Sequence, residues 1–322
     1  MKAVVLHTYG EPSAALEFRE IPEPAKPGPG QVLVAVQYAP INFSDILVAR
    51  GLYPLRPELP SVIGNEGAGQ VLEIGEGVSN VRVGERVVLP MGGFAWRERL
   101  VVRAQDLVAV PQAIDPRQAA MLRINPPSAY LLINAYVDLK AGDWIALNAA
   151  NSAISRWIVR FAKRRGAKVL GLVRRPEAER AAVEAGCDLV LLDAGRAPDQ
   201  FAESQGETHI RLALDAIGGE ATGRLAKLLG PRGTLVSYAA ESLSPMVTSP
   251  FDVIFNDLTI RGFSIGHPDF ADQITGAILT AAEMVVSGEA SIPVAAEYKL
   301  EDIREAIAHV EKGGKVLLKV AG

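Results

Sequence analysis

Residues 144–192 read WIALNAANSAISRWIVRFAKRRGAKVLGLVRRPEAERAAVEAGCDLVLL. Three apolar runs in this stretch predict buried strands, and two amphipathic runs between them predict helices. The strands are expected at 144–148, 168–173 and 188–192, and the helices at 154–165 and 177–185. Strands that alternate with helices of this length indicate βαβ units and a parallel sheet with helices on both faces. The alternation begins near residue 128 and continues to about residue 238, so this part of the chain predicts a doubly wound α/β domain.

The first 110 residues have a different rhythm. Short β-rich runs at 31–36, 69–74 and 86–89 are separated by proline and glycine turns such as 27–30. Short alternating runs with frequent turn signals predict a compact, mainly antiparallel β domain.

The last part of the chain predicts a helix at about 270–287, a strand at 295–298, a helix at 300–312 and a closing strand at 315–320. Such a short tail is expected to complete the first domain rather than to fold alone. We therefore predict that residues 1–121 and 267–322 form one domain and that residues 122–266 are an inserted second domain.

Composition excludes several classes of function. The chain has 322 residues, of which 49% are hydrophobic and 22% are charged, as in compact proteins with a sizeable core. A net charge of −4 argues against binding to nucleic acid or to anionic lipid. No run of about 18 apolar residues occurs, which argues against a membrane span.

Cysteine content and the start of the sequence bear on the compartment. A single cysteine, Cys187, excludes an internal disulfide and a four-cysteine zinc lobe. We interpret Cys187 as an inert packing residue. Met1 leads directly into a strand-like run that has no features of a targeting peptide. These observations predict a cytoplasmic location.

The turn after the first strand of the α/β domain is the expected position of a pyrophosphate site. It runs from Asn148 to Ser155 and contains no glycine, although GxGxxG is usual there. Its side chains are small or amides, and the following helix offers free N–H groups to a phosphate. The alternative is that Asn151 or Ser152 only caps that helix.

The second strand ends in Val173-Arg174-Arg175-Pro176, without the acidic residue that holds a ribose 2′-hydroxyl in NAD sites. Two guanidinium groups with no local carboxylate suit a 2′-phosphate, because arginine pairs with phosphate by charge and bidentate geometry. Arg174 and Arg175 therefore predict NADPH rather than NADH. The alternative is a pair of solvated arginines at a helix start.

Over essentially its whole length the chain resembles the medium-chain dehydrogenase/reductase superfamily. The segments INFSDI (41–46), GLYPLRPELP (51–60), GNEG (64–67) and NPPSAY (125–130), together with the turn 148–155, resemble mitochondrial-type trans-2-enoyl thioester reductases more than quinone reductases. The resemblance implies a GroES-like β-rich catalytic domain joined to a Rossmann NADPH-binding domain. It also implies a homodimer, with the run 258–263 pairing across a two-fold axis.

Zinc-dependent members of that superfamily have a cysteine near 41–46 and a histidine in a GHE motif. This chain has Asn42-Phe43-Ser44-Asp45 and Gly64-Asn65-Glu66 at those places. Both a thiolate and an imidazole are missing, so the sequence predicts no catalytic zinc.

By the same resemblance, Tyr53 occupies the position of the active-site tyrosine of the enoyl thioester reductases. Hydride addition to an enoyl thioester generates an enolate, which needs a hydrogen-bond donor or a proton at the α-carbon. A phenol can serve. The alternative is a structural turn tyrosine before Pro54.

Further residues take roles only through the resemblance. Asn125 is placed beside the nicotinamide, and Asn42 and Ser264 are placed in the substrate pocket, where Ser264 replaces a large aromatic residue. The remaining cofactor-binding positions are Asn151, Ser152, Ala153, Ile154, Tyr238, Phe263 and Lys315. Ala153 and Ser155 depart from the family, since they stand where its members tend to have glycine.

The sequence thus predicts a zinc-independent, NADPH-dependent reductase of an activated carbon–carbon double bond, with a 2-enoyl thioester as substrate. A quinone or α,β-unsaturated ketone reductase is the alternative within the same fold. A catalytically weak dinucleotide-binding sensor or scaffold is a second alternative, motivated by the turn without glycine.

Overall fold

A computed structural model describes residues 1–54, 56–206 and 208–320. The chain forms two compact units, one made of Met1–Ile124 and Thr275–Gly322 and the other of Asn125–Ile274. The functional division after residue 121 and before residue 267 remains a proposal. No described helix has both the length and the apolar character that crossing a bilayer requires.

The first unit begins with eight strands and three short helices. They are β1 (Lys2–Leu6), α1 (Pro12–Ala15), β2 (Leu16–Glu20), β3 (Gln31–Pro40), α2 (Phe43–Ala49), β4 (Ser61–Val62), β5 (Ala68–Ile74), β6 (Arg86–Val88), β7 (Arg99–Arg103), β8 (Val108–Ala109) and α3 (Pro116–Ala119).

The second unit alternates helices and strands. Its elements are α4 (Asn125–Asn134), β9 (Trp144–Leu147), α5 (Ala153–Arg164), β10 (Lys168–Val173), α6 (Glu179–Ala185), β11 (Leu189–Leu192), α7 (Ala197–Gln205), β12 (Ile210–Asp215), α8 (Glu220–Leu228), β13 (Leu229–Ser237), α9 (Pro250–Phe255) and β14 (Thr259–Gly262). The chain then continues through α10 (Ala271–Val286), β15 (Val294–Lys299), α11 (Ile303–Lys312) and β16 (Lys315–Lys319).

The first unit is built on two sheets. One has the order β2-β1-β4, and the other has the order β15-β16-β3-β5-β6-β8 with β7 also paired to β3. Every pairing is antiparallel except that of β15 with β16, so the predicted mainly antiparallel domain is confirmed. Strand β16 pairs with β3 at Leu317 and Pro40, which brings the tail into the main sheet. The core below these strands includes Val34, Ile46 and Trp96.

The second unit is a six-stranded parallel sheet with the order β11-β10-β9-β12-β13-β14. In order of appearance this is 3-2-1-4-5-6, the strand order of the Rossmann fold, and it confirms the predicted doubly wound domain. All four residues of β9 are buried, as expected for a central strand covered on both faces. Ligands of such sheets bind outside the carboxyl ends of the strands, where the order reverses between β9 and β12.

Candidate active site

At the carboxyl edge of β9 and β12 a buried amide and a buried carboxylate organise the loops. Asn148 Nδ2 donates to Asp215 Oδ1 at 2.7 Å, and Asn148 Oδ1 accepts from the N–H of Ala216 at 2.8 Å. Asp215 Oδ1 also accepts from the N–H groups of Ile217 and Gly218 at 2.9 and 3.0 Å. These bonds satisfy polar groups that would be costly to bury alone, and they fix both loops at the position expected for a ligand crevice.

The turn without glycine adopts the shape that glycine normally provides. Ala149 has φ of 48°, a left-handed conformation that costs a non-glycine residue roughly 1 to 2 kcal/mol. Ser155 Oγ donates to the carbonyl of Ala149 at 3.0 Å and so holds the turn closed. Ser152 is the N-cap of α5, since its Oγ accepts from the N–H of Ser155 at 3.3 Å.

Ser152 therefore caps the helix, as the alternative predicted, but this cap leaves other N–H groups at the helix start. A single cap satisfies one donor, and the N–H groups of Ala153 and Ile154 have no acceptor within the helix. Asn151 is exposed immediately before the cap. The helix start thus keeps N–H groups and a positive dipole end for an anion.

Gly171 in β10 lets this turn lie close to the sheet. A Cβ at Gly171 would lie 2.8 Å from Cys187 Sγ and 2.9 Å from the Cβ of Ala150. Burial raises the pKa of the Cys187 thiol to about 12, which keeps it protonated. Cys187 therefore packs beneath the turn, in agreement with the predicted structural role.

The two arginines that follow β10 were expected to have no carboxylate nearby. Arg174 and Arg175 are exposed at the carboxyl edge, but Arg174 Nη2 lies 2.8 Å from Glu241 Oε1. The prediction of two guanidinium groups without a local carboxylate is wrong for Arg174, because Glu241 approaches it from a loop 67 residues later. No local sequence pattern reports such a contact.

The other predicted residues of this unit lie at several places. Tyr238 directly follows β13, its buried hydroxyl lies beside Ser155, and burial raises its pKa. Phe263 follows β14, with its N–H bound to the carbonyl of Ser237 at 2.9 Å, and Ser264 is exposed. Asn125 is the first residue of α4 and is partly buried.

In the first unit, three ionisable side chains are buried together. Glu66 is fully buried, Asp45 is 1% exposed and Lys315 is 9% exposed. Lys315 Nζ donates to Asn42 Oδ1 and lies 3.9 Å from Glu66 Oε1. Asn42 Nδ2 in turn donates to Glu66 Oε1 at 2.9 Å. The structure thus brings together Asn42 and Lys315, two residues predicted separately.

The two carboxylates of this cluster also bind backbone. Asp45 Oδ2 accepts from the N–H of Asn42 at 2.8 Å, and its Oδ1 accepts from the N–H of Asn65 at 2.9 Å. Glu66 Oε2 accepts from the N–H of Ile124 at 3.1 Å. Burial raises the pKa of Asp45 to about 7 and raises the pKa of Glu66, whereas it lowers the pKa of Lys315.

The backbone conformation of the GNEG segment (64–67) requires glycine at position 64. This residue has φ of 110°, and a Cβ on it would lie 2.8 Å from Nε1 of the buried Trp96. A side chain at this position would therefore displace the segment that carries Asn65 and Glu66.

Tyr53 is partly buried against the hydrophobic core of the same unit. Burial raises its pKa above the ordinary value of 10, and the nearby charge of Asp45 acts in the same direction. The phenol therefore stays protonated near neutral pH and is available as a donor. Residue 55 of the predicted segment 51–60 lies outside the described residues.

Among the described residues, no group of three or more His, Cys, Asp or Glu side chains could hold a metal ion. The residues present at the zinc positions of the superfamily do not provide the thiolate or imidazole ligands that zinc requires.

Two family descriptions match the chain. Residues 28–112 match "Alcohol dehydrogenase GroES-like domain", and residues 153–279 match "Zinc-binding dehydrogenase". The mitochondrial enoyl-[acyl-carrier-protein] reductase of Bos taurus is 32% identical over 311 residues, which cover 94% of this chain and 83% of that protein. The chain belongs to the zinc-independent enoyl thioester reductase family of medium-chain dehydrogenase/reductases. It is therefore an oxidoreductase of a family that uses a nicotinamide dinucleotide.

Solved structures agree with this fold. A putative NADPH:quinone reductase from Bacillus thuringiensis has a TM-score of 0.89 and 25% identity, covering 99% of this chain and 98% of that one. The mitochondrial 2-enoyl thioester reductase heterodimer from Candida tropicalis has a TM-score of 0.88 and 23% identity, and 99% of each chain is covered.

The predicted cytoplasmic location is wrong. The bovine relative and a Caenorhabditis elegans relative, which is 32% identical over 81% of this chain, are both mitochondrial by name. The start of this sequence was therefore not a sound basis for assigning a compartment.

Sequence reasoning missed Asp45, Glu66, Asp215 and Glu241 as site residues. Asp215 had a signal, because a lone acid ends the apolar run of β12 at the ligand edge. Glu66 lay within the quoted GNEG motif, but its pairing with Lys315 joins residues far apart in the chain.

Proposed function

We propose that this oxidoreductase uses NADPH to reduce the carbon–carbon double bond of a trans-2-enoyl thioester without a metal ion. The observation that carries the proposal is the match to an enoyl-[acyl-carrier-protein] reductase over 94% of this chain, together with a helix start at the carboxyl edge of the parallel sheet that offers N–H groups to an anion. The exposed Arg174 and Arg175 support a cofactor with a 2′-phosphate.

The residues present fit a dinucleotide. The N–H groups at the start of α5 and the side chains of Asn151 and Ser152 would hold the pyrophosphate. Asn125, Ala153, Ile154, Tyr238 and Phe263 are proposed to line the remaining cofactor site. When bound, NADPH supplies the hydride that forms the new C–H bond at the β-carbon.

Lys315 is proposed to donate a hydrogen bond to a polar group of the cofactor. An ammonium has three donors, and Asn42 takes one of them, while Glu66 Oε1 is 3.9 Å away and beyond hydrogen-bond distance. Nζ therefore keeps donor capacity for a hydrogen bond to a ligand. Asn42 and Ser264 are proposed as pocket residues.

Tyr53 is proposed to act on the substrate. As the hydride adds to the β-carbon, the double-bond electrons shift and the thioester oxygen becomes an enolate oxygen. The Tyr53 hydroxyl would donate to that oxygen or deliver the proton that completes the C–H bond at the α-carbon. Its raised pKa supports the protonated form that either role needs.

We also propose a homodimer. Strand β14 is one of the two edge strands of the parallel sheet and is exposed along its length, and pairing with a second copy would cover its free backbone groups. The neighbouring helix α9 exposes Phe251, Ile254 and Phe255 at 67%, 68% and 76%. Light scattering at micromolar concentration tests the proposal, and a monomer would contradict it.

NADPH oxidation measured side by side with crotonyl-CoA and with a quinone tests the substrate class. Faster turnover of crotonyl-CoA is expected. Preference for the quinone would favour the alternative reductase, which the 25% identical quinone reductase supports. Turnover of neither substrate, with NADPH still bound, would instead favour a sensor or scaffold.

A further inference from the structure

The ion pair between Arg174 and Glu241 crosses the ligand edge of the parallel sheet. Arg174 directly follows β10, and the N–H of Glu241 donates at 3.1 Å to the carbonyl of Ala216, which directly follows β12. In the sheet, β9 lies between β10 and β12. The pair therefore spans two strand spacings, roughly 10 Å, across the carboxyl end of the strand that leads into the phosphate turn.

The loop that carries Glu241 is held to the sheet on both sides of this residue. The N–H of Tyr238 donates to the carbonyl of Asp215 at 3.0 Å, and the N–H of Ser242 donates to the carbonyl of Ile217 at 3.0 Å. Backbone bonds to the loop after β12 thus fix the position from which the carboxylate reaches Arg174. The contact at 2.8 Å follows from this anchored geometry.

The pair itself is weakly held. The side chains of Arg174 and Glu241 are 63% and 38% exposed, and ion pairs in such positions contribute little stability. A phosphate group is a stronger partner for a guanidinium, because it offers more charge and bidentate acceptors. Glu241 and a phosphate on Arg174 would also repel each other.

We infer that Glu241 is a specificity-determining residue: its carboxylate occupies Arg174 in the free protein and must give way to the cofactor's 2′-phosphate. This inference rests on the proposed function, because it assumes the 2′-phosphate as ligand. A ligand without that phosphate offers Arg174 no replacement partner and leaves the pair in place. Glu241 therefore lowers the affinity for phosphorylated cofactor and narrows the difference between the two cofactors.

Direct binding tests the inference without catalysis. Adenosine 2′,5′-bisphosphate and adenosine 5′-monophosphate differ only in the 2′-phosphate, and isothermal titration calorimetry gives the Kd of each. In Glu241→Gln, the Kd of the bisphosphate should fall about two- to fivefold, the size of an exposed ion pair, with the monophosphate unchanged. Arg174→Ala should weaken the bisphosphate by more than tenfold.

Two further variants complete the test. Adding Glu241→Gln to Arg174→Ala should have a smaller effect than Glu241→Gln alone, because competition for that guanidinium is gone and only the direct repulsion between carboxylate and phosphate remains. Glu184→Gln is the matched control, since it breaks the Arg180 pair, another exposed pair at 2.8 Å within α6, and should change neither Kd.

The outcomes separate the two proposals. An unchanged or raised bisphosphate Kd in Glu241→Gln, or an equal gain for both ligands, overturns the role of Glu241. If wild-type protein binds both ligands equally, the NADPH proposal and the role of Glu241 both fail. If the wild type prefers the bisphosphate but Glu241→Gln has no effect, only the role of Glu241 fails.

Discussion

The ammonium of Lys315 lies 3.9 Å from a carboxylate oxygen of Glu66, and these side chains are only 8% and 0% exposed. One buried cation thus serves two buried carboxylates, because Asp45 belongs to the same cluster. Burying charges is costly unless each has partners, so removing one member should affect the whole cluster.

Glu66→Gln should destabilise the protein by about 3 kcal/mol, because it leaves Lys315 buried with less compensating charge. In the wild type, Glu66 Oε1 accepts from Asn42 and Oε2 accepts from the N–H of Ile124. The substitution replaces one of these acceptor oxygens with an NH₂ donor, so one of the two hydrogen bonds is lost. Urea unfolding measures the change. Glu301→Gln, which breaks the exposed pair with Lys299, is the control and should cost less than about 1 kcal/mol. Equal effects in the two variants would contradict a buried charge cluster.

Asp45→Asn should change how stability depends on pH. The pKa of Asp45 is about 7 in the folded protein against an ordinary 3.8, so the folded chain holds a proton that the unfolded chain releases. The contribution of Asp45 to the free energy of unfolding is therefore present in acid and is lost as the pH rises from about 4 to about 7. The difference in unfolding free energy, wild type minus Asp45→Asn, should therefore fall across this range. Parallel curves would show that the carboxyl is not perturbed.

Tyr53→Phe should lower kcat roughly 10- to 10⁴-fold. The substitution keeps the packed ring but removes the hydroxyl, whose hydrogen bond to the substrate is expected to be strongest in the transition state. The affinity for NADPH should barely change. Steady-state kinetics with crotonyl-CoA and direct cofactor binding make the comparison. Retained kcat with a raised KM would assign Tyr53 to the pocket wall instead. Equal damage to quinone reduction would indicate general positioning of ligands.

Treatment with a chelator should leave turnover intact, because residues 42–45 and 64–66 offer neither the cysteine nor the histidine that zinc-dependent members have there. Activity before and after EDTA dialysis, with metal content measured in parallel, checks this. Stoichiometric zinc together with activity lost to chelator and restored by zinc would overturn the assignment.

Cys187 should resist thiol reagents in the folded protein. Its pKa of about 12 keeps the thiolate scarce at pH 8, and its sulfur packs under Gly171. Labelling with a disulfide reagent should be slow in buffer and should reach one thiol per chain in denaturant. Fast labelling in buffer would mean that this part of the sheet opens.

The alternation of strands and helices could be predicted because it depends on local periodicity. The strand predicted at 168–173 is β10, and the helix predicted at 154–165 is displaced by one residue at each end from α5. Helix α4 was missed, since Pro126 and Pro127 suggest a break. Proline is tolerated in the first turn of a helix, and α4 begins with Asn125 immediately before them.

The candidate site was predictable only in part, for a physical reason. Single residues such as Lys315 and Arg174 came from motif positions, but their partners Glu66 and Glu241 lie far away in sequence. Such pairs arise from the sheet topology, which brings distant loops together. Motif matching reports neither the pairing nor its competition with a ligand.

The pairing of β16 with β3 also constrains the order in which the two units can fold during synthesis. Residues 315–319 must leave the ribosome before the main sheet of the first unit can be completed, whereas the continuous segment Asn125–Ile274 can fold earlier. The hydrogen bond between Asn42 and Lys315 therefore cannot form until translation is nearly complete. During that interval the part of β3 that pairs with β16, Tyr38 to Pro40, lacks its partner strand, so a nascent chain that stalls late would expose it to chaperones or to aggregation.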